Sequence, residues 1–114
     1  MNKMDLENLE TTLIVTFSGD IDHFSVVSYK EKLVTYIERY RFNYVIMDFS
    51  AVSFIDSAGI GFILGRYNQL KDYGGKLIVC GVNGYCNRIF NIAGMWKIIE
   101  RCQDLSTAKM KVGV

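Results

Sequence analysis

The residues best suited to chemistry stand together in "FIDSAGIGFILGRY", residues 54 to 67, where Asp56 and Ser57 precede Gly59, Gly61 and Gly65. A serine next to an acid can act as a nucleophile, cap a helix or accept a modification. A nucleophilic serine needs a positioned base, and His23 is the only histidine in the chain. The G-x-S-x-G elbow is absent because Ile55 occupies its first glycine position, and no G-x-x-x-x-G-K-[ST] phosphate loop occurs. His23 reads more simply as a turn or capping residue. What remains for Ser57 is a cap, in which Asp56 or Ser57 satisfies orphan amides for about 1 kcal/mol, or a site that another protein modifies.

The glycines bear on that choice. An interior helix glycine costs about 1 kcal/mol against alanine, so Gly59, Gly61 and Gly65 cost about 2 to 3 kcal/mol together. Positions 57, 61 and 65 stack on one side of a helix, while Ile60, Ile63, Leu64 and Tyr67 lie around the other. Such a strip either lets the helix approach the sheet closely or lets another protein approach the serine. The apolar residues already supply a core face, which favours exposure.

An exposed serine at a helix N-terminus is within reach of a kinase, and the helix dipole tolerates the product phosphate. Phosphorylation adds about −1.5 to −2 charges. On a docking strip beside Asp56, that charge repels an acidic or apolar partner surface. A loss of about 4 kcal/mol weakens binding roughly a thousandfold.

Composition narrows the classes. The 114 residues, half of them hydrophobic and none a proline, fit one compact domain, residues 1–114. Thirteen basic against twelve acidic residues leave a charge of +1 with no basic block, which argues against nucleic acid as a partner. No apolar run reaches signal-peptide or membrane-span length, so a cytoplasmic protein without a membrane partner is expected. Cys80, Cys86 and Cys102 form no C-x-x-C pair and read as buried reduced thiols; neither metal nor cofactor is expected.

The elements that must position Ser57 follow from periodicity. Leu13, Val15 and Phe17 alternate along a strand ending in a turn signal at Ser18 and Gly19. It pairs with a short strand around Met4 to Glu7 through the polar "NLE". From Asp22, residues Val26, Val27, Leu33, Val34, Ile37 and Tyr40 recur at helical steps, with Asp22 or Ser25 as cap and Lys30, Glu31, Glu38 and Arg39 on a solvated face. "YVIMDF" (44–49) and "KLIVCGV" (76–82) read as strands covered on both faces. The segment from Ser57 to the Gly74-Gly75 stop is the helix of a right-handed parallel crossover between them. Asn83 caps a helix carrying Tyr85, Ile89, Phe90 and Ala93 up to Gly94. "MWKII" reads as an edge strand or a turn, and Leu105, Ala108 and Val112 as a closing helix. The sum is an α/β domain: a mixed, mostly parallel sheet with an N-terminal antiparallel hairpin and three to four helices.

"FIDSAGIGFILGRYNQLKDYGGKLIVCGVNGYCNRIFNIAGMWKII", together with "YVIMDFSAVS" and "GDIDHF" upstream, resembles the STAS domain of anti-sigma factor antagonists, over nearly the whole chain. The D-S-x-G-[IL]-G core followed by I-L-G-R-Y is the specific part and is similar to the sporulation branch, which acts on sigma F. The resemblance implies a regulator and not an enzyme. Its unphosphorylated form would bind an anti-sigma factor that is also an ATP-dependent serine kinase, releasing the sigma factor. It implies Ser57 as phosphoacceptor and a PP2C-type phosphatase as the partner that reverses the mark. Asp56 matches the motif acid, Gly59 and Gly61 the glycines that keep the docking surface open, and Asp20, Asp22 and His23 the family's acidic loop on the same face. Ala58 stands where relatives often carry a second serine, leaving Ser57 the less ambiguous acceptor. Phe24 follows His23 where relatives often carry a histidine or polar residue. Two other classes remain beside this one: a stress-response antagonist or a STAS scaffold or sensor subunit of a larger assembly, and an enzyme using Ser57 and His23.

Overall fold

The computed structural model describes residues 1–114. Its strands are β1 (Lys3–Leu9), β2 (Thr12–Ile21), β3 (Tyr44–Ile55), β4 (Lys76–Cys80) and β5 (Glu100–Cys102), and its helices α1 (Ser25–Tyr40), α2 (Ser57–Lys71), α3 (Gly84–Ile92) and α4 (Leu105–Val112), with a 3-10 turn at Met95–Lys97. The sheet order is β1-β2-β3-β4-β5, antiparallel between β1 and β2 and parallel elsewhere.

Alternation along the strands divides the core into two layers. Leu13, Val45 and Leu77 form one cross-strand row and Ile14, Ile46 and Ile78 the next, so successive rows face opposite sides of the sheet. The first face joins 24 buried residues beneath α1, α2 and α3, among them Leu33, Ile37, Ile63, Leu70 and Phe90. The second joins only six, including Cys80, Cys102 and Ala108 under α4. Phe17 anchors the larger side, edge-on to Phe49 at 5.6 Å and to Phe62 at 6.1 Å. Burying each such ring contributes about 1.5 to 3 kcal/mol.

Several boundaries differ from the sequence expectation. β1 runs to Leu9, and the hairpin turns on Glu10 and Thr11, with Glu10 at φ 58°, and not through "NLE". Gly19 does not end β2. It sits at φ 81° where the β2–β3 register slips, a bulge that lets the strand continue to Ile21. β3 likewise runs six residues past Phe49 to Ile55. β4 stops at Cys80 because Gly81 turns at φ 72° against Ser50 and Asp48. "MWKII" holds the 3-10 turn, and the edge strand is "ERC" just beyond it. In α1 the buried stripe is Ser25, Tyr29, Leu33 and Ile37; Val27 and Tyr40, expected in the core, are exposed.

These extensions place the site. Ile21 and Ile55 are register partners at the C-terminal ends of adjacent parallel strands, and both are buried. The chain therefore leaves β2 and β3 side by side, at the end of an α/β sheet where ligand and reaction sites usually form.

Candidate functional site

Asp56 is the one residue between β3 and α2. Its backbone is extended, and its Oδ1 accepts the Gly59 amide at 2.9 Å, which makes Asp56 and not Ser57 the cap of α2. Oδ2 accepts the His23 amide at 3.1 Å and lies 3.6 Å from His23 Nδ1. Partial burial pushes the Asp56 carboxyl up, but the Gly59 and His23 amides outweigh it and hold the group below the usual aspartate range. One ionised carboxylate thus ties the β2–α1 loop to the first turn of α2.

Ser57 is the first residue of α2 and is exposed. With the cap supplied by Asp56, its hydroxyl is free of that duty. On the neighbouring loop, Asp22 Oδ1 accepts the amides of Phe24 at 3.1 Å and Ser25 at 3.0 Å and so holds the turn that leads into α1. Asp20, at the end of β2, is half-buried, and its carbonyl accepts from Ser25 Oγ. The fold therefore gathers Asp20, Asp22, His23, Asp56 and Ser57 at one end of the sheet.

The three glycines separate into two kinds. A Cβ on Gly59 would collide with the Ile21 carbonyl and lie 2.6 Å from Ile55 Cγ1. Gly59 is buried, so the expectation that it keeps an outer docking surface open is corrected: it lets α2 start tight against the end of β2. A Cβ on Gly61 or Gly65 would meet nothing within 4 Å. Together with the half-buried Ala58, these two line a cleft of about 270 Å³ between α1 and α2. The strip expected from positions 57, 61 and 65 is accordingly the floor of a groove that runs from beside Ser57 toward Arg66.

The STAS domain model matches residues 3–108. The chain belongs to the STAS-domain anti-sigma factor antagonists. The anti-sigma F factor antagonist of Paenibacillus polymyxa is 31% identical over 85% of this chain and 83% of its own length. The anti-sigma-B factor antagonist of Bacillus subtilis is 30% identical over 85% and 87%. Among solved structures, the anti-sigma factor antagonist SpoIIAA in its unphosphorylated form superposes with a TM-score of 0.85 at 24% identity, covering 98% of each chain. The Bacillus cell fate determinant SpoIIAA in its phosphorylated form gives 0.78 at 25%, covering 96% of this chain and 99% of that one.

Four residues beside the STAS site were not assigned to it by sequence reasoning. Phe24 and Val27 are 77% and 69% exposed, an apolar pair at the start of α1. Val27 fitted the helical period of the core, and only the packing of α1 turns it outward. Lys30 passed for part of a solvated face but lines the cleft, and Arg66, inside the quoted I-L-G-R-Y run, lines it from α2. A sequence signal for Arg66 did exist: a lone cation on a helix that is otherwise apolar for two turns. No helix of this STAS domain is long and apolar enough to cross a membrane.

Proposed function

We propose that this domain, with Ser57 unmodified, binds an anti-sigma factor that is also a serine kinase, and so releases the sigma factor. Phosphorylation of Ser57 ends the binding, and a PP2C-type phosphatase restores it. The observation that carries the reading is the division of labour at the start of α2: Asp56 takes the cap, leaving the exposed Ser57 hydroxyl free beside the open Gly61 and Gly65. A phosphate there adds to the charge of Asp56 and faces any surface docked on the groove. Asp20, Asp22, His23, Asp56, Ser57, Ala58, Gly61 and Gly65 form the binding face in this reading, with Gly59 as its internal support. The unit that acts is residues 1–114, working in the cytoplasm without a reaction, metal or cofactor of its own.

The sporulation branch, with sigma F as the factor released, is supported by the I-L-G-R-Y run and by the anti-sigma F antagonist among the relatives. A stress-response antagonist is the second reading, favoured by the nearly equal identity to the anti-sigma-B antagonist. Incubating the protein with each anti-sigma factor of its own genome and ATP separates them. We expect one partner to place a single phosphate on Ser57 and Ser57→Ala to bind that partner without being phosphorylated. Ser57→Asp should bind at least a hundredfold more weakly. Phosphate on another residue, or none, sinks the proposal.

A further inference from the structure

We propose that the cleft between α1 and α2 receives an acidic side chain of the anti-sigma factor, with Arg66 as its receptor. The inference rests on the antagonist reading above and adds the chemistry of the contact. Arg66 is only 6% exposed, yet it takes part in none of the domain's ion pairs. Its Nε donates to Gln69 Oε1 at 3.0 Å, and one terminal nitrogen reaches the Phe62 carbonyl at 3.5 Å, with the guanidinium 5.6 Å from the centre of the Phe62 ring. A guanidinium carries five N–H donors in a planar fork, so most of this one is unspent. The domain itself offers this charge no counter-charge, and burial lowers the pKa of the group.

The surroundings specify what would relieve it. Lys30 is the only other charged residue lining the cleft, and no acid lines it. The walls are Val26 and Phe62, and the floor is Gly61 and Gly65, whose missing side chains give the cleft its depth. Its volume of about 270 Å³ falls below the range of small-molecule sites, about 300 to 1,000 Å³, and suits one or two side chains. A carboxylate entering between apolar walls meets the Arg66 fork in a charge-assisted, bidentate geometry, with Lys30 at the rim to steer it. The glycines then serve access to a buried cation as well as access to Ser57.

The test is titration calorimetry of the full chain against the anti-sigma factor that phosphorylates it, with thermal unfolding of each variant alongside. Arg66→Met keeps length and apolar packing; we expect it to bind at least tenfold more weakly with its unfolding midpoint unchanged or raised, because a lone buried charge has gone. An arginine that is merely structural would lower the midpoint and leave binding within twofold. Lys30→Glu lies on an exposed helix face and does not endanger the fold; we expect at least a threefold loss. Binding by both variants within twofold of wild type overturns the cleft proposal while leaving the antagonist reading in place. Should Arg66→Met unfold, Lys30→Glu alone decides, by the same twofold limit. Failure of the wild-type protein to bind any anti-sigma factor overturns the antagonist reading, and this inference with it.

Discussion

The backbone amide of His23 donates a 3.1 Å hydrogen bond to the side chain of Asp56, a residue 33 positions further along the chain. The same carboxylate accepts the Gly59 amide, so removing it both uncaps α2 and frees the β2–α1 loop. Asp56→Ala should cost about 2 kcal/mol, the sum of a lost cap and a lost charge-assisted bond. Asp56→Asn, which keeps an acceptor, should cost less than half as much. Urea unfolding at pH 7 measures both.

The same contact makes stability depend on pH. The Asp56 carboxyl titrates lower in the folded protein than its ordinary value, so its contribution is fully present above the unfolded aspartate pKa of about 3.9. The contribution is lost as pH falls through the folded value, where the carboxylate finally protonates. Asp104, whose carboxylate accepts the Thr107 amide and caps α4, is shifted the same way. Wild type should therefore exceed Asp56→Asn in urea midpoint at about pH 5, and that margin should shrink below about pH 4. A margin that widens as pH falls below about 4 would show that the carboxylate is not held ionised by these amides.

The glycines of α2 should respond in opposite directions to one substitution. Gly59→Ala must displace the Ile21 carbonyl or Ile55, an overpacking that costs about 1 to 3 kcal/mol. Gly61→Ala and Gly65→Ala enter open space, and each should gain about 0.5 to 1 kcal/mol of helix stability. Both, however, raise the floor of the groove, so partner binding should weaken as the fold strengthens. Thermal unfolding beside a binding titration reads the two effects separately.

The thiols should be silent in the native state. Burial pushes Cys80 up to about 12, with Asp48, Cys102 and Asp104 adding to it, and burial pushes Cys86 up to about 11; Cys102 is buried too. Thiolate is the reactive form. A thiol reagent at pH 8 should label none of the three within minutes on the folded protein and all of them in 6 M guanidinium. Rapid native labelling of Cys80 or Cys86 would contradict their placement in the core.

The sequence by itself determined the direction of each side chain about its own strand or helix. That was enough to read the alternating Leu13, Val15 and Phe17, the parallel crossover through α2, and Asp56 with Ser57 at its start. It also showed that Gly61 and Gly65 lie on the strip headed by Ser57. Periodicity is an internal coordinate, and it cannot say what another element brings to that side. The tertiary structure decided that Gly59 faces the Ile21 carbonyl at the end of β2 while Gly61 and Gly65 face the open cleft shared with Val26 and Lys30 of α1. It turned Val27 outward against the expected pattern and buried Arg66, through packing between residues some 35 positions apart, such as Gln69 bonded to the Val34 carbonyl. It also carried β2 past Gly19 and β3 past Phe49, since strand ends are fixed by pairing with a neighbour and not by the residues that would permit a turn. Those extensions bring Ile21 beside Ile55, and so His23 within reach of Asp56.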